Sequence, residues 1–148
     1  MRDLEAALKA AGDPTRTRIL KLLEGGALCV CQIQEVIGLA PSTISKHLAI
    51  LKGAGLVEDD REGRWIRYAL AAGGRNPFAQ GLLALLRGPL DREPQILDDR
   101  GRLAEVLAVP LSQLCARQEL GRPAASAESK SRHARAGRRA PAGKRSGA

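Results

Sequence analysis

Two cysteines, Cys29 and Cys31, stand on either side of Val30, and a third, Cys115, lies far downstream. Thiolates are soft donors and nucleophiles. Such a pair could hold a thiophilic metal or metalloid, respond to oxidants, or pack as two small apolar side chains. Cys-x-Cys lacks the spacing of a redox Cys-x-x-Cys and no histidine partners it, so nothing supports an enzyme with a thiol nucleophile. An odd cysteine count, in a chain whose first residues show no secretory signal, argues against a disulfide framework and directs any cysteine role to metal or thiolate chemistry. Helical geometry adds a condition. Residues i and i+2 of a regular helix project about 200° apart, so both sulfurs cannot grip one small ion inside a regular turn. Either Cys29 lies at or before the helix cap, or the turn unwinds on binding; unwinding is the working expectation.

A second group of residues could read nucleic acid. Pro41 opens a stretch in which Ile44, Leu48 and Leu51 recur on one face, leaving Ser42, Thr43, Ser45 and Lys46 outward. A recognition helix must offer base edges short polar side chains while apolar packing holds its far side, and this stretch has that division. His47 directly precedes core Leu48, which leaves it DNA contact or a structural hydrogen bond; no other histidine lies in the predicted folded part, so a metal role has no partner. Downstream, Arg61, Arg64 and Arg67 on a predicted hairpin form a basic wing able to grip phosphates.

These groups need elements to position them. Leu4, Ala7, Leu8 and Ala11 mark a first helix, and Asp13-Pro14 caps and starts a second that turns Ile19, Leu22 and Leu23 inward. A third, from about Cys29 to Ile37, is closed by Gly38, and the Pro41 helix follows, a helix-turn-helix arrangement. Leu56–Asp60 and Arg64–Leu70 read as strands around a turn at Gly63. Phe78, Leu82, Leu85 and Leu86 form a further helical stripe, and another helix runs from about Pro94 to Val109.

Three aromatic residues in 148 cannot build a large β-sandwich core, and the abundant Leu and Ala suit helix on helix. The predicted fold is mainly α with a small β-hairpin: a winged helix-turn-helix, homodimeric, with a disordered basic C-terminal tail. Its parts are a DNA-binding and dimerisation domain over residues 1–109, a partly ordered extension over 110–123 and a tail over 124–148. The net charge is +8, and all but one of those charges lies from Arg117 onward. The tail should therefore steepen the salt dependence of DNA binding without selecting a sequence. No apolar run is long enough to span a membrane, so a cytoplasmic protein without membrane contact is expected.

Asp13-Pro14-Thr15-Arg16, Ala27-Leu28-Cys29-Val30-Cys31, Pro41 through Leu48 and Glu62-Gly63-Arg64-Trp65 together resemble the ArsR/SmtB family of winged-helix repressors, over roughly the first two-thirds of the chain. The resemblance implies a homodimer that releases operator DNA on binding a metal or metalloid. Its arsenic-responsive branch carries As(III) or Sb(III) ligands at the position of Cys29 and Cys31, with a third cysteine where this chain has Gln34. A three-thiolate site would need another donor, and Cys115 is the remaining thiol, although its spacing with Leu111 and Leu114 also reads as packing. The family's zinc sites on the last helix need histidines that the segment from Arg75 to Val109 lacks, and its cadmium and lead sensors add N-terminal cysteines that are missing before Cys29.

The expected protein is thus a repressor without catalytic residues or cofactor, with As(III) or Sb(III) as inducer and an inverted-repeat operator matching its two-fold symmetry. A ligand-independent architectural DNA-binding protein and a thiol oxidation sensor on the same fold are the alternatives.

Overall fold

A computed structural model describes residues 1–120, although nothing is described of the Glu119 and Leu120 side chains. The basic tail expected over 124–148 lies outside the described residues. The elements run α1 (Arg2–Ala11), α2 (Pro14–Leu23), β1 (Leu28–Cys29), α3 (Val30–Ile37), α4 (Pro41–Gly53), β2 (Val57–Glu62), β3 (Trp65–Leu70), α5 (Ala79–Leu85), a 3-10 turn (Pro89–Arg92), α6 (Pro94–Leu107) and α7 (Leu111–Leu120).

Local chemistry sets the helix ends as expected. Arg16 N–H donates to the Asp13 carboxylate at 3.0 Å, satisfying a free donor at the start of α2, and Pro14 occupies the first helical position. Gly38 closes α3 at φ +80°, in the left-handed region that costs a side-chain-bearing residue energy. Ile19, Leu20, Ile33, Val36, Ile44, Leu48, Leu51 and Leu56 are fully buried together and form the centre of the core, so the apolar stripes of α2, α3 and α4 point where their spacing directs them.

The sheet departs from the expected hairpin. It has three antiparallel strands in the order β1-β3-β2, with Leu28 opposite Tyr68 and Cys29 opposite Arg67. Two residues carry no period, so only pairing with β3 makes them a strand. Cys29 consequently leaves the helix that was expected to begin with it. It is the N-cap of α3, with extended backbone at φ −79° and ψ 157°.

Asn76 pins the junction between α4 and β2. Buried at 5% exposure, it donates to Ala54 O and Asp3 O and accepts from Phe78 N–H. A Cβ on Gly55 (φ +73°) would stand 2.8 Å from the Asn76 Cβ, so this close approach requires glycine.

Two ionic contacts dock the C-terminal helices. Arg18 of α2 makes a two-pronged bond to Asp99 of α6 at 2.7 and 2.8 Å, with Gln95 as a third donor. Buried Lys21 donates to Glu24, Asp91 and the Leu86 carbonyl. Lys21 is the largest cause holding the Asp91 carboxyl far below its ordinary range, followed by the Gly88 N–H and Arg100. Residues Met1–Cys115 form one compact unit that runs past the boundary expected at Val109, because Leu114 of α7 joins the core. Among the described residues no helix is long and apolar enough to cross a membrane.

Candidate nucleic-acid interface and thiol site

The outer face of α4 carries the side chains singled out for DNA contact. Ser42, Ser45 and Lys46 are exposed and Thr43 is half-buried, while Ile44, Leu48 and Leu51 hold the helix from behind. His47 turns towards α2 instead. Its Nδ1 lies 3.4 Å from Arg16 Nη1, within hydrogen-bond distance, and 4.0 Å from Asp13 Oδ2. Arg16 is itself fixed by the Ala10 and Lys9 carbonyls, at 2.6 and 3.2 Å. Of the two roles expected for His47, this geometry supplies the structural hydrogen bond, fastening α4 to the start of α2.

The wing, expected to be basic, carries more acidic than basic side chains. Between Val57 and Leu70, Glu58, Asp59, Asp60 and Glu62 outnumber Arg61, Arg64 and Arg67. Alternation along β2 and β3 draws attention to the arginines and hides the acidic strand beside them. Arg61 and Arg64 are exposed, and the Arg64 guanidinium lies 5.0 Å from the centroid of the Trp65 ring, a cation–π contact near the tip of the hairpin. Arg67 has other partners. It pairs with Glu62 at 3.3 Å and stands opposite Cys29 across the sheet, where its positive charge favours the thiolate.

The cysteines are arranged differently from the expected pair. Cys29, only 2% exposed, faces Arg67 of β3. Burial pushes its thiol up from the ordinary value, and Arg67 pulls it partly back. Its backbone N–H donates to Gln32 Oε1 at 2.9 Å, so a buried glutamine that spacing did not single out fixes the cap. Cys31, one residue into α3, is joined by a disulfide to Cys115 of α7, with α-carbons 5.7 Å apart across 84 residues of sequence. This overturns the expectation that the odd cysteine count leaves no disulfide. The physical reason is tertiary: α7 returns over the start of α3 and brings Cys115 opposite Cys31, at a separation ordinary for bridged cysteines.

Placing Cys29 at the cap also changes the chelation geometry. The first of the two sequence alternatives holds for the backbone, with Cys29 at the cap and outside the regular turn. No ready-made cluster of three metal-ligating side chains is present among the described residues.

A family model described as bacterial regulatory protein, arsR family, matches residues 13–59, which span α2 to the middle of β2. The arsenic resistance transcriptional regulator ArsR1 of Pseudomonas putida is 37% identical over 106 residues, covering 70% of this chain and 80% of that one. The uncharacterized HTH-type transcriptional regulator MJ1325 of Methanocaldococcus jannaschii is 54% identical over 61 residues, 40% of this chain and 68% of that one. Among solved structures, the homodimeric winged helix-turn-helix DNA-binding domain of Mb0332 from Mycobacterium bovis, a possible ArsR-family regulator, superposes with a TM-score of 0.52 at 31% identity, covering 63% of this chain and 86% of that one.

Proposed function

The chain belongs to the arsR family of bacterial regulatory proteins, DNA-binding transcriptional repressors rather than enzymes, and from that membership we propose that it binds an inverted-repeat operator as a homodimer and is released by As(III) or Sb(III). The observation that carries this reading is the position of Cys29 and Cys31 at the first turn of α3, the helix that precedes α4. A ligand that draws these sulfurs together repositions the start of α3, and α3 packs against the helix that carries Ser42, Thr43, Ser45 and Lys46. By linkage, operator binding then weakens metalloid binding by the same factor.

Arg61 and Arg64 are assigned to phosphate contacts beside α4, and Arg67 to holding Cys29. The dimer is supported by the exposed apolar side chains Leu8, Phe78, Leu85, Leu97 and Leu107 on α1, α5 and α6 and beside them. A protein with this partner and these thiols acts in the cytoplasm.

The test is fluorescence anisotropy of the reduced protein on a labelled operator duplex selected from a random pool, titrated separately with arsenite, antimonite, cadmium, zinc and peroxide. Release by arsenite or antimonite at the lowest concentrations supports the reading. Release by cadmium or zinc alone, or arsenite release of a Cys29→Ser, Cys31→Ser protein, overturns it.

The Cys31–Cys115 disulfide favours a second reading, a thiol oxidation sensor. Peroxide oxidation takes one hydrogen from each thiol, joins the sulfurs and yields two waters. Under this reading peroxide releases the operator, and Cys115→Ser abolishes that release.

A further inference from the structure

We propose that the wing responds directly to what is bonded to the Cys29 sulfur, through the pairing of β1 with β3, and that Arg67 is the positioning residue between them. Operator release by this route rests on the reading that Cys29 binds As(III) or Sb(III), and it adds the wing to the path through α3 and α4. The starting point is topological. β3 is the central strand of the sheet, paired with β2 along the hairpin and with Leu28 and Cys29 on its other edge, so the residue assigned to the inducer belongs to the same sheet as the wing.

Cys29 has little room to respond by itself. It is 2% exposed, its backbone N–H is held by Gln32 Oε1 at 2.9 Å, and it pairs with Arg67 across the sheet. A close-packed interior passes on an added atom as displacement, and the neighbour free to give way is Arg67, whose side chain is 45% exposed. Side chains alternate along a strand, so Arg67 and Trp65 share the face of Cys29, with Asp60 and Glu62 opposite them on β2. Arg67 is ion-paired with Glu62 at 3.3 Å, Glu62 stands opposite Trp65, and the Trp65 ring carries the Arg64 guanidinium at 5.0 Å. A guanidinium pushed off this face withdraws its charge from Asp60 and Glu62. Uncompensated negative charge then stands close to Arg64, one of the two arginines assigned to phosphate, and weakens its attraction for the backbone of DNA.

Ligation at Cys29 changes no oxidation state. An As–O bond of arsenous acid is exchanged for an As–S bond, and the thiol proton leaves with the hydroxide as water. The wing carries its own reporter of the consequence, because Trp65 is the single tryptophan of the chain.

The test is the emission spectrum of Trp65 in the full-length chain, reduced with a phosphine, desalted without oxygen and free of DNA. Arsenite is added to the wild type, and methylmercury to Cys31→Ser, Cys115→Ser, in which Cys29 is the sole thiol and mass spectrometry counts the label. Both additions are expected to shift the emission maximum, the second saturating at one equivalent. With Arg67→Ala added to the two serine substitutions, methylmercury uptake is expected to persist and the shift to be lost; with Arg67→Lys in its place the shift returns. A labelled Cys29 with unmoved emission overturns the inference, and so does an equal shift in the Arg67→Ala chain. Wild-type emission unmoved by arsenite that stays on the chain through gel filtration overturns it without needing any variant to fold. A methylmercury shift in a chain that retains no arsenite keeps the coupling and overturns Cys29 as a metalloid ligand. A Cys29 that takes up neither probe overturns both readings.

Discussion

The outer face of α4, proposed to meet DNA, and the cysteine junction between α3 and α7, proposed to sense the inducer, are built differently. On α4 the polar side chains stand in solvent and the apolar ones face the core, so the proposed DNA-contacting surface is already formed in the chain by itself. At the junction the reactive groups are withdrawn: Cys29 and Cys115 are buried, and Cys31 is covalently joined to a residue 84 positions away. A surface that reads DNA can be local and exposed because its partner supplies the complementary shape. A sensor has to turn a small ligand into movement of helices, which requires ligands on separate elements inside the packed unit.

The sharpest way to break this contrast is to remove the sulfurs. Cys29→Ser, Cys31→Ser protein is expected to keep its operator affinity and lose arsenite release altogether, measured by anisotropy. Oxidised wild type, with Cys31 and Cys115 bonded, is expected to bind no arsenite through Cys31 until a reductant is added, measured by arsenic retained after gel filtration. Asp99→Asn tests whether the α2–α6 ion pair holds the C-terminal helices in place. It leaves Arg18 beside an uncharged partner in a mostly buried site and is expected to cost about 3 kcal/mol in urea unfolding. Lys46→Ala is expected to weaken operator binding by about 1 kcal/mol while leaving the arsenite midpoint of the DNA-free protein unchanged, which separates the two regions. The smallest effect is on the acid side. Asp91 has a lowered pKa, so its contribution is present above the ordinary carboxylate value and declines as pH falls below about 4. Asp91→Asn should flatten that part of the stability profile.

Much of this architecture is legible in one dimension. Ile44, Leu48 and Leu51 at helical spacing, Asp13-Pro14 at a helix start and Gly38 and Gly63 at turns are local signals, and each element forms where they place it. The two-residue β1 is not legible, because its hydrogen bonds come from β3 and not from its own pattern. The arginines of the hairpin were visible, but their partners were not. Arg67 meets Cys29 only because β1 and β3 pair in that register, and Lys21 is buried only because the turn at Asp91 and the end of α5 fold over it. From its position on α4, His47 reads equally as a DNA contact or a structural hydrogen bond, and only the approach of Arg16 and Asp13 supplies the second.

The sequence by itself determined that a polar-faced helix follows a thiol-bearing one, because helical period, caps and turn glycines act over a few residues. It also determined that the chain holds just three sulfur donors of this kind. The tertiary structure decided which sulfurs meet. Cys31 and Cys115 become neighbours through the packing of α7 on the core, and Cys29 turns to Arg67 through strand pairing, relations that depend on contacts between residues far apart in the chain.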